Sequence, residues 1–206
     1  MNEYHKIQTV FLRNPETKYK TLLEGVYSLP EFEYLAENQW VFTEKVDGMN
    51  IRVIYDGKGG IEYGGKTDRA QIPSTLINEM RNIFIAEDFK EFNEGITLYG
   101  EGYGPKIQKG GGKYRDSQSF VLFDIKIGDY WLLRKDVEDI ASKLDIDVVP
   151  IIGEGTLSDM VEIVKGGFNS QWGDFKAEGI VARPETELKT RNGSRIITKI
   201  KCKDFA

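Results

Sequence analysis

Three short β-rich segments follow one another with almost nothing between them, and no other feature constrains the fold as much. They are "QWVFTEKV" (39–46), "NIRVIYDG" (50–57) and "GIEYGGKT" (60–67). The connection "DGKGG" is a hairpin signal, because glycine and aspartate accept the backbone angles that tight hairpin turns demand. The second and third segments, joined this closely, pair antiparallel, since a parallel pair needs a long crossover. Later segments continue the pattern: "ITLYGEGYG", "SFVLFDIKI", "GIVAR" and "SRIITKIKCK" read as strands. Helical stretches are interspersed without a regular βαβ alternation. "NPETKYKTLLEG" and "LPEFEYLAENQ" read as short helices introduced by Pro and Glu. "PSTLINEMRNIFIAEDFKEF" carries Leu76, Ile77, Met80, Ile83 and Phe84 at helical spacing. "LRKDVEDIASKLDI" is a further helix, and "TLSDMVEIVKGG" another, with Thr156 and Asp159 spaced for a capping box and Gly166 as its stop. The expectation is an α+β fold of mainly antiparallel sheet, not a Rossmann fold.

With 206 residues, 40% of them hydrophobic, the chain can bury a core that needs no disulfides, as one domain or one domain with two lobes. Its single cysteine, Cys202, offers no disulfide framework or zinc cluster, which points to an intracellular home. The single histidine, His5, reads as a tail residue, so His-based triads and His-rich metal sites are excluded. No apolar run approaches a membrane span, and the N-terminus lacks a signal-peptide pattern. A net charge of −5 excludes a globally basic nucleic-acid coat, but local basic clusters still bind phosphates.

Several local patterns could carry chemistry. "EKVDGMN" places Lys45 and Asp47 at a strand junction, either as a surface charge pair or as a lysine nucleophile held on a turn. In "TKIKCK", Lys199, Lys201 and Lys203 alternate and would share one strand face, which is either a solvated edge or a phosphate-facing row. In "LYGEGYG", Glu101 lies between glycines that leave little bulk around its carboxylate. "SFVLFDI" puts Phe120, Leu122 and Asp124 on one face and Val121 and Phe123 on the other, so Phe120 is either core or a ring that stacks on a base. Glu178 opens the strand "GIVAR", as a surface carboxylate or a Mg²⁺ ligand beside phosphates. The loop "GPKIQKGGGKYR" offers Lys106, Lys109, Lys113 and Arg115 with Tyr114, suited to a mobile phosphate-contacting segment or to plain disorder.

Taken in order, "KVDG", "LYGEGYG", "FVLFDI", "EGIV" and "KIK" resemble motifs I, III, IIIa, IV and V of the covalent nucleotidyltransferases: ATP-dependent DNA ligases, RNA ligases and mRNA capping enzymes. The resemblance spans roughly Trp40 to Lys203. It implies a nucleotidyltransferase (adenylation) domain of two mainly antiparallel sheets flanked by helices, with an ATP cleft between them. The form K-x-[DH]-G-x-N, with Asn50 where DNA ligases and capping enzymes carry arginine, resembles the RNA ligase 2-like, phage-type branch, which seals breaks in duplex RNA.

Residue by residue, the resemblance implies that Lys45 takes AMP and that the backbone at Glu44 meets adenine. Asn50 would orient phosphate or metal-bound water, Glu101 would bind ribose hydroxyls, and Phe120 would stack on adenine. Glu178 would act with Mg²⁺ or Mn²⁺, while Lys199 and Lys201 would grip the α-phosphate. The family usually has an arginine near the end of the second hairpin strand. Here "GGKTDRA" offers Lys66, with Arg69 nearby, and a lysine cannot make the bidentate fork of an arginine. Asp47 would shape the site or touch the nucleic acid, and the cations of the 104–115 loop would contact its phosphates. Most members continue into an OB-fold or helical module after the last motif, whereas this sequence stops five residues after Lys201. It reads as residues 1–206 forming a single adenylyltransferase domain, either a minimal ligase or an adenylation fragment.

The implied activity is ATP-dependent RNA ligation of 5′-phosphate and 3′-hydroxyl ends, at nicks in duplex RNA or RNA-containing hybrids, through lysyl-AMP. The host cytoplasm would be its setting if phage-encoded. Lysine attacks only as the neutral amine, and its ordinary pKa is ~10.4. Nearby cations, here Lys199, Lys201 and a divalent ion, disfavour the second positive charge. The alternatives are a DNA ligase or capping-type core, or a noncatalytic nucleotide- or RNA-binding module of the same fold.

Overall fold

The computed structural model describes residues 3–205. In chain order the strands are β1 (Gln8–Thr9), β2 (Phe11–Arg13), β3 (Leu22–Tyr27), β4 (Trp40–Glu44), β5 (Met49–Tyr55), β6 (Ile61–Gly65), β7 (Ile96–Tyr103) and β8 (Ser119–Ile127). They continue with β9 (Tyr130–Trp131), β10 (Asp147–Val148), β11 (Ile151–Gly155), β12 (Gly179–Pro184) and β13 (Thr198–Lys201). The helices are α1 (Pro30–Tyr34), α2 (Ser74–Ile83), α3 (Arg134–Lys143) and α4 (Leu157–Gly166). The fold is the expected α+β arrangement of mainly antiparallel sheets. The chain divides into two compact units, one formed by Asp47–Val149 with the stretch up to His5, the other by Lys6–Val46 with the chain from Pro150 onward.

The second unit holds a sheet in the order β1-β13-β12-β4-β11, antiparallel except for β1 beside β13, and a separate β2-β3 hairpin. Burial alternates along β4, so Trp40, Phe42 and Glu44 point inward, as a half-buried strand requires. Ile180, Ala182 and Ile200 join them in a core closed by Met160 and Val164 of α4 and Phe32 of α1. Both halves of the Thr156–Asp159 capping box form, and the helix runs through Gly166 to a cap at Gly167, one residue later than the sequence indicates. "NPETKYKTLLEG" is not a helix. A single 3₁₀ turn at Pro15–Thr17 ends at Lys18 and Tyr19, whose positive φ values of 54° and 63° are incompatible with helix, and the chain then enters β3.

The first unit holds a six-stranded sheet, β10-β8-β7-β5-β6 with β9 paired to β8. One face carries Ile51, Val53, Leu98, Phe120 and Leu122, packed under Leu76 and Met80 of α2 and Val137 and Ile140 of α3. Each such side chain, taken fully from water, contributes roughly 1.5–3 kcal/mol. The long helical run of the sequence stops at Ile83, and Phe84 and Phe89 reach the same core from beyond it, the latter from a 3₁₀ turn at Ala86–Phe89. On the other face Tyr4 donates a hydrogen bond to Asp124 at 2.7 Å and packs against Tyr99 and Trp131. His5 stacks on Tyr4 with ring centroids 4.6 Å apart, so it is a packed residue and not a tail. Among the described residues no helix is long and apolar enough to cross a membrane.

Candidate functional site

In the second unit, sheet register gathers the ends of three strands. Lys45 follows β4 directly and its N–H donates to the Gly179 carbonyl at 2.9 Å, while Gly179 pairs with Lys201 and Val181 with Lys199. Glycine is required at 179, because a Cβ there would collide with the Ile200 carbonyl and come within 2.7 Å of the Lys201 Cα. Glu178 is thereby held between two lysines: its Oε2 lies 2.6 Å from Lys45 Nζ and its Oε1 2.5 Å from Lys201 Nζ. The three side chains are only 19%, 13% and 22% exposed. One carboxylate thus stands against two ammonium groups in a partly desolvated place, with Lys199 on the same strand face as Lys201. Such an excess of positive charge attracts an anion.

Lys203 does not belong to this row. The strand ends at Lys201, and Lys203 is exposed in a 3₁₀ turn at Cys202–Phe205. Asp204 imposes the turn: its buried carboxylate accepts the Lys201 N–H at 2.9 Å and pairs with Arg13 at 2.9 Å.

Glu44, one residue before the lysine, is 1% exposed. Its carboxylate accepts the Ser170 hydroxyl at 2.6 Å and the Gln171 N–H at 2.8 Å, anchoring the 169–176 loop. Burial pushes its carboxyl above the usual range, and the two hydrogen bonds pull it partly back. The role that the resemblance gives this position is a main-chain one, and the side chain is engaged elsewhere. Glu44→Ala leaves the buried Ser170 hydroxyl and the part-buried Gln171 N–H without this partner and is expected to cost about 1–3 kcal/mol, read as a lowered urea midpoint. An unchanged midpoint would show that the loop does not depend on Glu44.

In the first unit, Asn50 pairs with Glu101 across β5 and β7, and Glu101 with Val121 across β7 and β8, so these side chains share a face. Gly48 lets the motif turn lie on that strand: a Cβ would collide with the Gly102 carbonyl and come within 2.7 Å of Glu101 Cγ. The glycines flanking Glu101 serve the opposite face from the one expected. A Cβ at Gly100 would collide with the Phe120 ring, and one at Gly102 would meet Leu76 Cδ2 at 2.6 Å. They admit core side chains and clear no space around the carboxylate.

Phe120 is corrected by the same register. It pairs with Gly102, is 2% exposed, and lies edge-on to Phe84 at 5.2 Å in the core, on the face opposite Glu101. A β-bulge decides which phenylalanine faces Glu101. Gly100 pairs with Leu122 but Tyr99 with Asp124, so Phe123 is the extra residue. Phe123 and Asp124 both reach the Tyr4 side: Phe123 lies 5.1 Å from the Tyr4 ring and is half-buried. Of the two phenylalanines, Phe123 and not Phe120 is therefore on the Glu101 face. Strict alternation over "FVLFDI" does place Phe123 opposite Phe120, but it groups Asp124 with Phe120, and only the bulge separates them.

Lys66 and Arg69 are exposed just past β6. Arg52, overlooked in the apolar run "IRVIY", is wholly buried beside them. Asp47 is tied to the glycine-rich loop: its N–H donates to the Tyr114 hydroxyl at 3.0 Å, and a Cβ at Gly110 would approach its Oδ2 to 2.9 Å. The loop contains a 3₁₀ turn at Gly111–Lys113 and is pinned by buried Gly111 and Tyr114, leaving Lys106, Lys109, Lys113 and Arg115 exposed.

The RNA ligase family model matches residues 38–201. No curated protein matches. Among solved structures, a Naegleria gruberi RNA ligase variant with ATP and Mn is similar at 21% identity and TM-score 0.66, over 85% of this chain and 54% of that one. Another variant of that ligase, with AMP and Mn, is 19% identical at TM-score 0.65, over 84% and 52%. A third, with ATP and Mn, is 21% identical at TM-score 0.65, over 95% and 59%. The chain thus spans somewhat over half the length of these relatives, and the likeness is one of fold. With four-fifths of its sequence matched, the chain belongs to the RNA ligase family.

Proposed function

We propose that this chain performs the nucleotidyl-transfer chemistry of an ATP-dependent RNA ligase, sealing 5′-phosphate and 3′-hydroxyl RNA ends through lysyl-AMP. The observation that carries the reading is the Lys45–Glu178–Lys201 arrangement, a part-buried amine held by a carboxylate that a second lysine also grips. Solved relatives of the same fold carry ATP or AMP with Mn, in line with this reading.

Lys45 Nζ attacks the α-phosphorus of ATP. The N–P bond forms, the bond to the β-phosphate oxygen breaks, and pyrophosphate leaves. The amine sheds its proton as it bonds, and Glu178, 2.6 Å away, is an acceptor within reach. AMP then passes to the 5′-phosphate of an RNA end, and the adjacent 3′-hydroxyl displaces it. Lys199 and Lys201 offset charge on the phosphates. Glu101 takes the ribose hydroxyls, the backbone at Glu44 meets the base, and Phe123 replaces Phe120 as the ring that stacks on it. Lys106, Lys109, Lys113 and Arg115 contact the nucleic acid, with Asp47 fixing their loop.

A divalent ion fits the donor set through one carboxylate and phosphate oxygens, which is how Mg²⁺ is usually held. Among the described residues no group of three or more His, Cys, Asp or Glu forms a protein cage. Glu178 would be its carboxylate ligand. Asn50, whose Oδ1 is buried and meets no donor among the described residues, would accept from a metal-bound water. When bound, the ion supplies positive charge that disfavours the ammonium form of lysine and stabilises phosphate charge.

The test is incubation with ATP, Mg²⁺ or Mn²⁺ and nicked duplexes of RNA, DNA or hybrid composition, scored for protein–AMP adduct and for sealed strand. Adduct with sealing of RNA-containing nicks is expected. Adduct with GTP alone, or sealing of DNA only, would move the substrate to a capping-type or DNA ligase reaction, and nucleotide binding without adduct would leave a noncatalytic module.

A further inference from the structure

The guanidinium of Arg52 is wholly buried, and its surroundings are built for it. Its Nε donates to the Gly65 carbonyl at 2.8 Å and its Nη2 to Asp68 Oδ1 at 2.8 Å, so it brackets Lys66. Gly64 makes the room, since a Cβ there would come within 2.8 Å of Nη2 and 3.1 Å of Cζ. The third nitrogen, Nη1, is buried and meets no acceptor among the described residues. Buried donors are almost always satisfied, so an open one on a charged group calls for a partner from outside the chain. Burying a charge is costly, and the carboxylate that offsets this one is 46% exposed on a turn whose residues 66–69 are all exposed.

Register ties Arg52 to residues already assigned. It pairs with Gly64 on β6 and Tyr99 on β7, and it stands two residues from Asn50 on the same strand face, about 7 Å along the strand. Asn50 Oδ1 is likewise buried and lacks a donor. One open donor and one open acceptor on neighbouring positions match a phosphate group with its hydrated cation: phosphate oxygens accept from the guanidinium, and water hydrogens reach the amide oxygen.

We propose that Arg52 binds a phosphate group in this site, supplying the planar guanidinium fork that the exposed Lys66 lacks. The Asp68 carboxylate occupies that fork as a stand-in anion and exchanges with the phosphate when it arrives. The assignment rests on the nucleotidyl-transfer reading for the identity of its ligand. The phosphate belongs either to the nucleotide or to the 5′ end of the RNA.

Calorimetric titration separates these sources and needs no turnover. The probes are α,β-methylene-ATP against adenosine, and a short RNA with a 5′-phosphate against its 5′-hydroxyl counterpart, each with Mg²⁺. Arg52→Lys is expected to weaken one phosphorylated probe about tenfold or more, the size of a lost charge-assisted hydrogen bond, and to leave its counterpart unchanged. Loss confined to the nucleotide pair assigns ATP, and loss confined to the RNA pair assigns the 5′-phosphate. Gly64→Ala, which displaces the guanidinium without removing it, should reproduce the selective loss and serves if Arg52→Lys does not fold. Asp68→Ala removes the competing carboxylate and should bind the same probe equally or more tightly. Wild-type affinity of folded Arg52→Lys for every probe, or an equal loss in Asp68→Ala, overturns the proposal and leaves Arg52 as a strut for the turn. Failure of wild-type protein to form the Lys45 adduct, with selective probe binding intact, would count against the nucleotidyl-transfer reading alone.

Discussion

Lys45→Ala is expected to form no detectable protein–AMP adduct with ATP and Mg²⁺, while its thermal midpoint stays close to that of the parent protein. The lysine follows a strand whose backbone bonds do not involve its side chain, and its pair with Glu178 is part-buried. Glu178 keeps Lys201 as a partner when the amine is removed, so no buried carboxylate is left unpaired and the fold does not depend on Lys45. Lys45→Arg keeps a cation beside Glu178 but offers no nucleophilic amine, because guanidinium does not deprotonate near neutral pH. It should also form no adduct. Gel separation with α-labelled ATP and peptide mapping of the label decide the matter. An adduct that survives both substitutions sinks Lys45 as the nucleophile, and Lys199 and Lys201 would be the next residues to map.

The second large effect is a contrast between two phenylalanines three residues apart. Phe120→Ala should cost about 3–5 kcal/mol of stability, as deletion of a fully enclosed ring does. The ring meets Phe84 and leans on Gly100, so little around it can collapse into the space. Domains of this kind hold only about 5–15 kcal/mol in all, so a substantial fraction of the variant is expected to be unfolded at 37 °C. Phe123→Ala removes a half-buried ring and should keep the fold. It should instead raise the ATP concentration needed for half-maximal adduct about five- to 150-fold, the equivalent of a lost base stack of roughly 1–3 kcal/mol. Urea unfolding and the ATP dependence of adduct formation are read on both proteins. A variant pair in which Phe120→Ala stays stable and loses nucleotide affinity, while Phe123→Ala does neither, would falsify the assignment of the stacking ring.

The candidate site was legible in the sequence because its motifs are local. Lys45, Glu178, Lys199 and Lys201 stand at strand ends that hydrophobic alternation and glycines mark, and register brings Lys45, Glu178 and Lys201 within ion-pair reach. The Thr156–Asp159 cap was legible for the same reason, since its partners are three residues apart. What failed was each inference that extended a period beyond its end. Counting by twos carried the lysine row on to Lys203, but a buried Asp204, paired to Arg13 nearly two hundred residues earlier, turns the chain. The same counting grouped Asp124 with Phe120, but the bulge at Phe123 resets the faces.

"EKVDGMN" and its companion motifs were enough to set the family, the antiparallel α+β fold and the residues of its candidate site, because strand alternation and motif spacing are properties of neighbours in the chain. Only the tertiary structure decided which face each side chain occupies. It turned the glycines around Glu101 toward the core, put Phe123 and not Phe120 on the Glu101 face, and revealed in Arg52 a buried guanidinium that sequence shows only as one charge in an apolar run. The physical reason is common to all three. A bulge, a missing Cβ or an unpaired donor acquires meaning from atoms on other strands, and those partners are fixed by sheet register, which no short stretch of sequence contains.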